Sequence, residues 1–90
     1  MTDIHVTRGS GDEYAVEIRD AAGTSRHRVT VSAGDRSRYG GDASAEALLE
    51  ASFRFLLERE PKEAILSRFE ISVIERFFPE YPAEIRHRLG

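Results

Sequence analysis

The chain has no cysteine at all. That absence excludes disulfides, thiolate metal sites, iron–sulfur clusters and cysteine nucleophiles, and it fits a reducing compartment. Long apolar runs are missing too. No stretch approaches the ~20 residues that span a bilayer, and Met1-Thr2-Asp3-Ile4-His5 has neither the basic opening nor the apolar stretch of a secretory leader. A cytoplasmic protein with no membrane partner is therefore expected. Lysine is nearly absent, Lys62 being the only one among thirteen basic residues. The arginines are scattered along a chain also rich in alanine and glycine, as base composition of a GC-rich genome would produce. Nor is there a surplus of positive charge: sixteen acidic residues leave a net charge of −3, which gives no general field to attract nucleic acid.

What is present is a single small domain of 90 residues, 40% hydrophobic and 32% charged, with its net negative charge all in residues 42–90. The first third alternates with a period of two: Ile4 and Val6, then Tyr14, Val16 and Ile18, then His27, Val29 and Val31. Gly9-Ser10-Gly11 reads as the first turn, pairing Arg8 with Asp12, Val6 with Tyr14 and Ile4 with Val16. A second turn around Ala22-Gly23 pairs Ile18 with His27, Val16 with Val29 and Tyr14 with Val31, and sets Glu17 across from Arg28. Both registers put the apolar residues on one face, which predicts a three-stranded antiparallel meander over residues 1–32.

Residues 33–42 have no apolar period and carry three glycines, so they read as a loop in which Arg36, Arg38 and Tyr39 could grip an anion. The period then changes. From Ala45 to Arg59 a long helix is expected, capped by Asp42 or Ser44, with Leu48, Leu49, Ser52, Phe53, Leu56 and Leu57 inward and Phe55 on neither face. Glu60-Pro61 ends it and starts a short second helix, about Pro61–Arg68, with Ile65, Leu66 and Phe69 inward. Ser72-Val73-Ile74-Glu75 matches a capping box for a third helix ending by Pro79, and Ala83–Leu89 allows a last turn or two. The fold class expected is α+β, a sheet at 1–32, a loop at 33–42, and a helical half at 43–90 with one long helix and two to three short ones.

Catalytic patterns are missing. No histidine has a second ligand at metal-site spacing, and His27 reads as a covered, hydrogen-bonded strand residue. There is no His-Glu-x-x-His, Gly-x-Ser-x-Gly or Walker loop, so no catalytic, cofactor-binding or metal-binding residue is assigned and an enzyme is not expected. Ala64–Phe78 has the outline of a helix-turn-helix, but its turn carries Glu70, an apolar position is taken by Arg76, and the reading helix has one basic residue. Six of the eight aromatics, Phe53, Phe55, Phe69, Phe77, Phe78 and Tyr81, lie in the helical half. One face of three short strands cannot easily cover them, so Phe55, Phe77, Phe78 and Tyr81 are the expected interface of a self-associating or partner-binding module.

The segments EASFRFLLEREPKEAILSRF at 50–69 and VIERFFPEY at 73–81 resemble the C-terminal block of a group of short uncharacterised bacterial proteins. The resemblance implies a bacterial source and brings no catalytic or binding residues with it. More distantly, a strand meander followed by an Ala/Glu/Leu helix at Ala45–Arg59 resembles HicB-type antitoxins. That likeness implies the alternative function, a regulatory, antitoxin-like nucleic-acid binder, for which Arg36, Arg38, Arg68 and Arg76 are the candidate contacts.

Overall fold

The computed structural model describes residues 2–90. Strands β1 (Asp3–Arg8), β2 (Glu13–Asp20) and β3 (Gly23–Thr30) form the expected antiparallel meander. Both registers differ from expectation by two residues: Val6 faces Val16 and Ile4 faces Ile18, while Val16 faces His27 and Tyr14 faces Val29. The turns decide this. In the first, the Gly9 amide donates to the Glu13 carbonyl at 2.8 Å and the Glu13 amide to Ser10 at 3.1 Å, so the three-residue loop sits one position later than read. A Cβ on Gly9 would lie 2.9 Å from the Glu13 oxygen, and Gly11 holds φ at 61°, so each position needs its glycine for a different reason. In the second turn Asp20 Oδ1 accepts from the Ala22 amide at 2.8 Å, closing a loop with Asp20 opposite Gly23. Glu17 therefore pairs with Arg26 (3.1 Å) instead of Arg28, which goes to Glu13 (3.0 Å). A shift of two keeps every side chain on its face, so Val16, Ile18, His27 and Val29 are still buried.

The meander is not the whole sheet. A fourth strand, β4 (Arg68–Glu70), lies parallel to β3 at the edge, in the order β1-β2-β3-β4. It replaces the end of the expected second helix. The Arg28 amide donates to Ser67 O at 2.7 Å and the Ile71 amide to Thr30 O at 3.0 Å. Phe69 and Ile71 turn inward while Arg68 and Glu70 remain exposed, a period of two that outweighs the helical reading. After Pro61 only one turn of 3-10 helix forms, at Lys62–Ala64, and Leu66 is exposed rather than inward. Ala64–Phe78 is consequently not a helix-turn-helix.

A parallel neighbour requires a long crossover, supplied by two helices. The first, α1 (Ala33–Gly40), occupies the expected loop. Ser32 Oγ caps it by accepting the Asp35 amide at 3.1 Å, and Tyr39 anchors it, fully buried, with its hydroxyl donating to Glu75 at 2.8 Å. Burial, helped by the bond to Glu75, pushes the Tyr39 phenol up to about 12. Helix α2 (Ala45–Leu57) begins at Ser44, whose oxygen accepts from Ala47, and lays Leu48, Leu49, Ser52, Phe53 and Leu56 into the core. Two helices follow β4: α3 (Val73–Phe77) and α4 (Tyr81–Leu89). Ser72 makes no side-chain cap, because its backbone is already helical at φ −63°, ψ −18° instead of extended as at Ser32 and Ser44, and Glu75, the other half of the expected capping box, is bound by Tyr39 and Arg38 of α1.

The core lies between the inner sheet face and α2, and α4 closes its far side. Ser52 donates to the Leu48 carbonyl at 2.7 Å, so its oxygen accepts from the buried Tyr81 hydroxyl at 2.6 Å. Phe55, which fitted neither face of the helix in sequence, is completely buried by α4.

Candidate functional site

An apolar cleft of about 400 Å³ opens where α2 stops. The Arg59 and Glu60 amides both return to the Leu56 carbonyl at 2.9 Å, tightening the last turn, and Pro61 at φ −70°, ψ 157° leads the chain off the helix axis. The following segment is pinned at both ends. Lys62, with a side chain only 3% exposed, reaches Glu63 at 2.6 Å and Asp20 of the β2–β3 turn at 2.9 Å. Those bonds, Glu63 first, hold the ammonium above its ordinary range, and Lys62 in turn keeps Asp20 and Glu63 below theirs. At the other end His27 Nδ1 donates to the Leu66 carbonyl at 2.7 Å, the only role a carbonyl leaves it, while Nε2 is hydrogen-bonded to the Ser25 hydroxyl at 2.9 Å. The ring packs on Phe53 at 5.4 Å. Buried histidine and lysine thus serve to place the cleft wall.

Leu56, Ile65, Phe69 and Ile74 form the buried part of the cleft, and Leu66, Val73, Phe77 and Phe78 its outer wall. Leu66 is 50% exposed and Phe77 66%, the two large hydrophobic side chains left open among the described residues. Among the described residues the only charged one lining the cleft is Glu60, half-buried and in no ion pair with any of them. With no histidine or nucleophile in its lining, the cleft can exclude water from apolar side chains and offer one carboxylate to a donor. Covering a Leu or Phe completely contributes about 1.5–3 kcal/mol.

Of the four expected interface residues, the structure brings only Phe77 and Phe78 to this surface. Phe55 and Tyr81 are inside the chain, Phe55 lying edge-on to Phe78 at 5.8 Å and to Tyr81 at 5.3 Å, with the Arg59 guanidinium 3.6 Å over its ring. Three of the four arginines are already engaged by separate partners. Arg36 donates to the Ala43 carbonyl at 3.2 Å, Arg38 pairs with Glu75 at 3.0 Å, and Arg68 is 3.9 Å from Glu13. Arg68 lines the outer sheet face with His5, Arg26 and Arg28, where Glu13 and Glu17 already answer the positive charge. Arg76 is exposed on α3. Sequence reasoning missed Leu66 and Glu60 as site residues. The alternation Arg68-Phe69-Glu70-Ile71 was the signal that would have unwound the second helix and exposed them.

Among the described residues no group of three His, Asp or Glu side chains could hold a metal ion, and no helix is long and apolar enough to cross a membrane. No family model, no curated protein and no solved structure matches the chain.

Proposed function

We propose that this chain is a small, non-enzymatic protein-interaction module that makes its contact through the apolar cleft, with itself or with a second protein. The observation that carries the reading is that Leu66 and Phe77 stay open in the same cleft while Phe55 and Tyr81 are sealed inside. Apolar surface gathered into one rimmed cleft is what interaction sites expose, whereas scattered apolar residues are ordinary. Phe77→Ala tests it directly. A contact residue two-thirds exposed should be removable with unfolding stability held within about 0.5 kcal/mol, and any concentration-dependent mass in light scattering should disappear with it. A Phe77→Ala chain destabilised like a core mutant would make Phe77 part of the core and remove the cleft as a contact surface. A wild type that is monomeric at every concentration would remove self-association and leave a second protein as the partner. Retention on heparin at about 50 mM salt would instead support the nucleic-acid alternative.

A further inference from the structure

The sheet edge beside the cleft is open. On its β3 side β4 uses the Ser67 carbonyl and the Ile71 amide. In a parallel ladder, residues that bond to one neighbour alternate with residues that face the other. The amides and carbonyls of Arg68 and Glu70 therefore point away from β3, and both residues are exposed. Phe69, between them, turns to the inner face and lines the cleft. A strand laid along β4 would carry a side chain beside Phe69 on that same face, over Leu66 and Phe77, and its next side chain on the face would come two residues along. Glu60 is the charged group in the lining of that cleft, and it has no ion-pair partner among the described residues. A two-fold contact between copies centred on the cleft would set Glu60 against its own equivalent, so charge favours a different occupant.

Resting on the reading of the cleft as a contact surface, we propose that the cleft and the β4 edge together dock an extended segment of a partner protein. The segment adds as a strand to β4, seats an aliphatic side chain in the cleft, and presents a lysine or arginine two residues along to Glu60. Main-chain bonds supply affinity, and the alternate side chains supply selectivity.

The test is a titration of the isotope-labelled full chain with a capped heptapeptide, Thr-Val-Thr-Leu-Thr-Arg-Thr, and with a control bearing glutamate in place of arginine. Expected are resonance shifts at Leu66 and Phe77, exchange at the Arg68 and Glu70 amides slowed at least about tenfold, and weaker binding of the control. Glu60→Gln should weaken the arginine peptide by about fivefold and narrow its advantage over the control. Shifts in the cleft without slowed exchange at Arg68 and Glu70 would overturn strand addition while leaving the contact surface standing. No shifts at saturating peptide would overturn the proposal, with the Phe77→Ala and solution-mass measurements still deciding the underlying reading. A dimer closed through the cleft would overturn it in favour of a second copy.

Discussion

Phe55 and Leu56 are neighbours in the last turn of α2, yet they face two flanks of opposite character. On the Phe55 side, α4 runs for nine residues and brings Tyr81 and Ile85 into full burial. Arg59 and Arg88 lie over the ring at 3.6 and 5.7 Å, and Glu80 and Glu58 hold them there. On the Leu56 side, α3 lasts only five residues before Phe78 breaks from helical geometry, too short to lie across the cleft. The same surplus of aromatics is thus resolved by packing on one flank and left open on the other. The length of the covering helix, rather than composition, makes the difference.

If that contrast is right, the flanks should respond unequally to truncation. The largest effect is expected from Phe55→Ala, which empties a fully enclosed site and should cost about 3–5 kcal/mol, a large part of the roughly 5–15 kcal/mol typical of a domain. Urea or thermal unfolding measures it, and a cost as small as that of Phe77→Ala would dissolve the distinction between the flanks. Tyr81→Phe removes only the hydroxyl donated to Ser52 and should cost about 1 kcal/mol. An unchanged midpoint would mean that the Ser52–Tyr81 bond contributes nothing to the closed side.

The open flank has its own weak point, in acid. Asp20 and Glu63 are held below their ordinary values of 3.8 and 4.5 by the hydrogen bonds from Lys62. Their contribution is full above those values and is lost as pH falls through the depressed ones. Lys62→Met should therefore flatten the dependence of stability on pH below about 4.5 relative to wild type. Parallel acid limbs in the two proteins would show that the Lys62 anchor is not what holds the wall.

Local periodicity made the meander, its apolar face and the inward stripe of α2 legible in sequence. Register was harder, because moving Arg8 from Asp12 to Tyr14 leaves every side chain on the same face, so the apolar pattern cannot distinguish the two. Only the bonding of Gly9 and Glu13 does. α1 was hidden because a single buried side chain, Tyr39, stabilises it through a partner far away in sequence, although Ser32 followed three residues later by Asp35 was a local cap signal. β4 was hidden by Pro61, an apt helix opener that begins only a 3-10 turn here. The long-range bonds of Ser67 and Ile71 to β3 outweigh local propensity there. Among the site residues, Phe77 was legible as surplus aromatic surface. The sealing of Phe55 depended on the packing of α4, which no window of sequence contains.

The parallel pairing of β3 with β4 also sets an order of assembly. Both hairpins join neighbouring stretches of chain and can zip up soon after they are made, whereas β4 must wait for both crossover helices before Arg68 can meet Arg28. A nascent chain halted before Leu66 would carry a sheet whose β3 edge is bare and a His27 ring with no carbonyl to receive its proton. The cleft, lined by residues on both sides of β4, therefore exists only in a chain that has closed its longest loop, and α4 seals the opposite flank later still in synthesis.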